Sequence, residues 1–375
     1  MGLRAWSLAV VVVVAAGCDG EPSSSNDLAV VAHDDLSATA DLAGRDLAAP
    51  GPGPDLAAPS DLSATAGDGG AVDAGHARRF VSKPLGLGNT IGRVQAIAGA
   101  GGTVYFGGEY GVASTSSQGA SFSVDNGLTF VRGVTARAST VVAATDSGLF
   151  ASTTGGAEYD RVSGGDAGLV AFRGVSGSGN DLFAVGPAGT IWSSANGGTS
   201  FAPLAPPPSL SANDQSVWVD ASTVLIAGEK SLRSTDRGAH WQAMPLSTNA
   251  TAALWGTGAG DVWAVGGYYF GGTPTYFGEI HHSTDRGATW TKQVGYYTTG
   301  EPELLLIDGA LFGVWGSSAS DVWVVGAGGT ILRSSDQGAS WDRIAIATTS
   351  TLRAVWGTSP TDVWVAGDNG IWHYE

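Results

Sequence analysis

Cysteine is almost missing: the 375 residues hold one, Cys18, beside 2 Met and 6 His. A lone thiol excludes a disulfide scaffold and a cysteine-ligated zinc finger. Charge is scarce as well, with Asp, Glu, Lys and Arg making up 14%, and it is lopsided at 34 acids to 18 bases. So acidic a chain, with no basic stripe, is a poor partner for nucleic acid. No apolar run is long enough for a transmembrane helix of the mature chain, which excludes a polytopic helical membrane protein. Helical periodicity of any length is also lacking. The excess lies in Gly, 58 residues, and Trp, 13 residues.

The acids are unevenly placed: residues 1–18 hold none, residues 19–77 hold 11 against one base, and residues 78–375 hold 23 against 16. The first stretch opens with Arg4 and an apolar run from Ala5 to Ala16 broken only by Ser7, the layout of a secretory signal peptide. The run ends Val14-Ala15-Ala16-Gly17-Cys18, which resembles a bacterial lipobox. That resemblance implies cleavage after residue 17 and a diacylglycerol on the thiol of Cys18. It also implies export to the envelope, to the outer membrane rather than the inner, with the lipid as the sole membrane contact. An ordinary signal peptide with a chance Cys is the alternative. Residues 18–77 have no aromatic residue and repeat Asp-Leu-Ala at positions 27, 41, 46 and 55. Too little apolar surface is present to offset chain entropy, so this tract is expected to be a disordered tether. Its reach as a coil is roughly 40 to 46 Å.

Residues 78–375 repeat one plan. FGVWGSSASDVWVVGAGGTILRSSDQGASW at 312–341 returns as RAVWGTSPTDVWVAGDNGIW at 353–372, with further copies at 253–266 and 173–201 and weaker ones from Gln95, Arg132 and Gln215. Within each copy apolar runs of four to six residues, bounded by Gly, Ser, Asn and Asp, predict short antiparallel strands. Five of the turns read Ser-x-Asp-x-Gly or close to it, at Ser283-Asp285-Gly287, Ser234-Asp236-Gly238 and Ser334-Asp336-Gly338, with Asn196 replacing Asp in one copy and Ser117 in another; Thr154 stands there in a sixth. The six turn glycines lie 37, 42, 40, 49 and 51 residues apart, the length of a four-stranded propeller blade. The seventh copy stops at Glu375 after three strands. Phe80-Val81-Ser82-Lys83-Pro84-Leu85 matches the fourth strand Trp241 to Leu246, so it is expected to complete that copy. The reading is all-β: a seven-bladed propeller closed by its own N-terminal strand, without exposed edges.

The turn motif resembles the Asp-box, or BNR repeat, and Asp236, Asp285, Asp336 and Asn196 are its structural members. Asp-box propellers include sialidases, sortilin-type receptors, xyloglucan hydrolases and photosystem II assembly factors. Over residues 78–375 the pattern xVWxVG followed by GTIxRSSDxGxxW looks most like the assembly factors. Its WGxxxxDVWxVG half is similar to envelope lipoproteins of myxobacterial-type bacteria. Neither resemblance implies one function. A sialidase would carry Arg-Ile-Pro near the domain start, which does not occur, and xyloglucan hydrolases need two propellers where this chain has one. Quinone-dependent dehydrogenases need adjacent cysteines. No cofactor or metal is expected: His281 and His282 are neighbours on a strand and point apart, and Gly86, Gly88 and Gly92 miss the dinucleotide spacing.

Aligning the inner strands places Gln95, Arg132, Arg173, Gln215, Ala252, Phe312 and Arg353 at one face, one residue per blade. Because blade 7 adjoins blade 1, Arg353, Gln95, Arg132, Arg173 and Gln215 form a polar arc around the channel. Two readings stand: a bidentate anion site, or rim ion pairs with acids such as Asp166 or Asp214. Blade 5 alone is enlarged, with Tyr268 and Tyr269 in one insertion and Tyr296 and Tyr297 in another, for contact with a ligand or for packing on each other. The expected role is a monomeric, non-enzymatic scaffold for a protein or peptide; a sialidase-like glycan-binding or glycan-hydrolysing protein is the alternative.

Overall fold

The computed structural model describes residues 78–86, 90–162, 170–206, 216–228, 230–246, 250–258, 260–269, 276–295 and 307–375. Residues 1–77, where a signal peptide, a lipidated Cys18 and a tether are expected, lie outside them. Seven four-stranded antiparallel sheets follow in chain order. Among the described residues the helical pieces are two 3₁₀ turns, Pro187–Gly189 and Ala327–Gly329. The inner strands are Val94–Ala100, Val131–Arg137, Gly174–Ser178, Ser216–Asp220, Ala250–Gly256, Leu311–Gly316 and Leu352–Ser359. Each blade then runs outward in sequence, except the last.

Blade 7 takes its outer strand from the start of the domain. Phe80–Ser82 pairs antiparallel with Gly370–Tyr374, Phe80 opposite Tyr374 and Ser82 opposite Trp372. Arg79 and Glu375 exchange both backbone hydrogen bonds beyond that pair, and Lys83 reaches the Glu375 carboxylate at 3.1 Å. Phe80 is buried with its ring edge-on to Trp323, 6.1 Å between centroids, so the closing strand is fastened by side chains as well as backbone.

Period-two alternation fails in the second strands, and packing explains why. Val322–Gly326 and Thr223–Ala227 are buried at every position, since a middle strand of a blade has another blade on each side. Such strands read as continuous apolar runs, as doubly covered strands do. The outer strands Asp160–Arg161, Gln242–Ala243 and Asp342–Arg343 are two residues long and exposed.

Two contacts recur around the ring, one between neighbouring blades and one within a blade. Trp218 packs over Gly256, Trp255 over Gly316, Trp315 over Gly357 and Trp356 over Gly99, each ring resting on the glycine of the next blade. Blade 4 has Val219 at the glycine position, and blade 3 has Ser176 rather than Trp to offer it. The second contact explains the Asp-Val-Trp motif. In blades 5 and 7, His282 and His373 stack on Trp263 and Trp364, centroids 3.9 and 4.1 Å apart, and bond to Asp261 and Asp362. In blade 6, Arg333 lies 4.7 Å over Trp323 and bonds to Asp321.

The Ser-x-Asp-x-Gly turns are local staples. Ser283 Oγ donates to Asp285 Oδ1 at 2.8 Å and accepts from Gly287 N–H at 2.8 Å, while Asp285 Oδ1 also accepts from Thr289 N–H at 2.8 Å. Arg286 and Gly287 between them are left-handed, φ 56° and 77°. Asn196 makes the same bonds, from Ser194 Oγ at 2.8 Å and Ser200 N–H at 3.0 Å. Hydrogen bonds from His240 hold Asp236 down at about 2, and those from Ser340 lower Asp336. Asp285 is lowered too: burial works against its charge, and bonds from Thr289 and Ser283 outweigh that. A carboxyl with a folded pKa below its unfolded value of about 4 contributes stability above that value and loses it as pH falls through the folded one. Thermal melts are therefore expected to drop between about pH 4 and pH 2. In the triple variant Asp236→Asn, Asp285→Asn, Asp336→Asn, which copies the Asn196 turn, that drop should be visibly smaller.

Candidate functional site

An antiparallel meander puts the hairpins between second and third strands on one face and the Ser-Asp turns on the other. On the hairpin face the inner strands converge, and Gln95, Arg132, Arg173, Ala252, Phe312 and Arg353 line one cavity of about 110 Å³. These are six of the seven aligned positions, and the seventh, Gln215, lies outside the described residues. Below the rim a cavity of about 180 Å³ adds Ile97, Val134, Val175, Val217, Val314 and Val355. The inward side chains thus form two layers, a polar rim over an aliphatic floor, because residues two apart on a strand share a face.

Two of the three arginines are already paired. Arg132 grips Asp146 with Nε and Nη2, at 3.0 and 2.7 Å, and gives Nη1 to Gln95 at 3.1 Å. The hydrogen bonds to Asp146 raise its pKa against the desolvation that opposes them. Arg353 binds Asp368 through Nε at 2.6 Å and Nη2 at 3.3 Å, and its guanidinium stands 5.3 Å over Phe312. The rim-pair reading therefore holds for these two, but with Asp146 and Asp368 as partners; Asp166 and Asp214 lie outside the described residues. Both partners sit in the turn between second and third strands, 14 and 15 residues after the arginine. Scanning that offset in each copy would have found them.

Arg173 differs. Its blade has the neutral turn Pro187–Gly189 at that offset, and its guanidinium has no ion pair or hydrogen bond among the described residues. Its Nε is buried without an acceptor. Outside the rim, Arg93 lies between Asp368 at 3.1 Å and Glu109 at 3.7 Å, an addition to the arc that alignment missed. Phe130, 43% exposed and left-handed at φ 52°, carries Arg132 at 5.6 Å from its ring centre.

Tyr268 and Tyr269 extend the blade 5 hairpin, paired with Phe277 and Tyr276 along Val262–Tyr269 and Tyr276–Ser283. Tyr296 and Tyr297 lie outside the described residues. His281 and His282 point apart as expected: His282 lies on Trp263, and buried His281 faces Glu279 at 3.7 Å. The Trp residues of the described domain are all buried or half-buried, as core residues.

The architecture is that of a single seven-bladed propeller with a polar channel mouth. Compared with known proteins, the sequence matches no family and no curated protein. Solved structures share the fold. "YCF48 bound to D1 peptide" superposes with TM-score 0.58 at 15% identity, over 79% of this chain and 96% of that one. A streptogramin B lyase gives 0.60 at 14%, over 79% and 97%. An ancestral GH74 enzyme gives 0.57 at 17%, over 78% of this chain and 46% of its own. Binders and enzymes thus share this fold.

Proposed function

We propose that the chain is an exported, lipid-anchored propeller that binds a protein or peptide through its channel mouth and acts as a scaffold, without catalysis. The observation that carries this reading is the rim itself, an arc of polar groups, Gln95, Arg132, Arg173 and Arg353, in which one guanidinium, Arg173, has no partner among the described residues. A ligand-binding residue on a fixed scaffold has this character, whereas structural arginines are paired. Among the described residues, the carboxylates that meet the rim, Asp146 and Asp368, are each held by two arginine nitrogens. Neither is left over as the acid or base that glycoside hydrolysis needs. The likeness to YCF48 bound to D1 peptide supports a peptide on this fold. We read the Ser-Asp turns as Asp-boxes and Cys18 as the lipidated residue.

Two experiments test this. Crosslinking in intact envelopes, followed by capture of the full chain, should recover a partner that is lost with Arg173→Gln. In fractionated cells Cys18→Ser should move the protein from the membrane to the soluble fraction. Recovery of no partner, or glycan binding alone, would defeat the scaffold reading. An unshifted Cys18→Ser variant would defeat the anchor.

A further inference from the structure

We infer that Arg173 receives the C-terminal carboxylate of a polypeptide whose last residue carries a small apolar side chain, seated on the valine layer below the rim. This rests on the peptide-binding reading and specifies its ligand. The charge at the mouth sets the ligand's valence. Arg132 with Asp146 and Arg353 with Asp368 are internally neutral pairs, so among the described residues the rim presents one uncompensated positive charge. A monoanion balances it; a dianion would leave one negative charge beside two aspartates. Among the described residues the arginine lacks an acid for a local reason: blades 2 and 7 carry Asp in the turn facing their arginine, and blade 3 carries Pro187–Gly189. A buried guanidinium nitrogen without an acceptor is costly, and a carboxylate is the acceptor its forked geometry fits.

The floor decides which carboxylate. Val134, Val175 and Val355, each 7% exposed, turn their remaining surface to the channel. An Asp or Glu side chain ends at its carboxylate and has nothing to place on that layer. A chain end bears carboxylate and side chain on the same carbon, so one can meet Arg173 while the other goes down onto the valines. The mouth cavity, about 110 Å³ over a floor cavity of about 180 Å³, has room for the small side chain and carboxylate of one chain end. A free acid of the same shape shares this chemistry, and the test separates the two.

Fluorescence anisotropy on the full chain in detergent would use dye-labelled Gly-Ser-Gly-Ser-Val, which has no other charge at its C-terminal end. The free acid is expected to bind saturably, the C-terminal amide at least ~10-fold more weakly, and Arg173→Gln to lose the free acid by a similar factor, since each factor of ten is one charge-assisted contact of ordinary strength. Arg173→Lys should fall between, and Arg161→Gln, on an outer strand, should bind as the wild type. Arg173→Gln should melt at or above the wild-type temperature, because it removes an unpaired buried donor; a lower melting temperature would assign Arg173 a structural role and overturn the inference. Equal binding of acid and amide would overturn it while leaving peptide binding intact. N-acetylvaline competing as well as the peptide would reassign the mouth to small acids. No saturation at millimolar peptide would also overturn it, and the scaffold reading would then stand or fall on the envelope capture.

Discussion

Gly316→Val should destabilise the domain by about 3 kcal/mol or more, lowering its melting temperature by roughly 6 to 12 °C. A Cβ at this position would lie 2.5 Å from the Asp321 carbonyl oxygen and 2.6 and 2.7 Å from the Trp255 ring. The first obstacle is backbone, held in the same hairpin by the hydrogen bond from Ser317 N–H to Asp321 O at 3.1 Å, so it cannot swing aside. The second is an indole wedged between blades 5 and 6. Inserting methyl groups there must push the blades apart or expel the ring, and either outcome reaches the neighbouring Trp315–Gly357 contact. Gly101→Ala is the control: it sits at φ 59° with nothing within 4 Å, so it should cost only its backbone preference, about 1 kcal/mol. Thermal and urea melts of the two variants should differ severalfold in effect. Equal losses would show that the tryptophan ladder does not hold the ring together.

Phe80→Ala should cost about 3 to 5 kcal/mol, as deletion of a buried aromatic ring does. The closing strand is only three residues long, Phe80–Ser82, so its backbone bonds alone are few. Its hold on blade 7 depends on the Phe80 ring, which touches Trp323 of blade 6 and Tyr374 of blade 7, centroids 6.1 and 5.0 Å away. Losing it weakens the one place where the two ends of the ring are joined without a covalent link. Removal of residues 78–82 should go further and leave the edge of Gly370–Tyr374 open for pairing with other chains. Light scattering beside a thermal melt would show both effects. A truncated chain that stays monomeric and melts with the wild type would disprove closure by this strand.

Much of this was legible in the primary structure. The repeat and its turn residues specify the number of blades, because each Ser-x-Asp-x-Gly turn is satisfied by bonds within a few residues of itself. The match of Phe80–Leu85 to Trp241–Leu246 also located the closing strand, since a fourth strand missing at one end had to be supplied from the other. Inner-strand alignment brought Gln95, Arg132, Arg173 and Arg353 to one cavity for the same reason: equivalent positions of equivalent blades meet at the axis.

What alignment of the inner strands alone did not reach was the pairing of a rim position with a turn position further along the same blade. That Asp146 and Asp368 neutralise Arg132 and Arg353 depends on side-chain reach between a strand and a turn 14 or 15 residues away. That Trp255 needs Gly316 depends on how closely two blades approach, and both residues look merely repetitive in a one-dimensional pattern. Local turn chemistry and hydrophobic spacing determined the fold from the sequence itself; that Arg173, among the described residues, keeps an unpaired charge at the mouth was decided only by the tertiary structure, in which Arg132 and Arg353 each fold back onto an acid of their own blade.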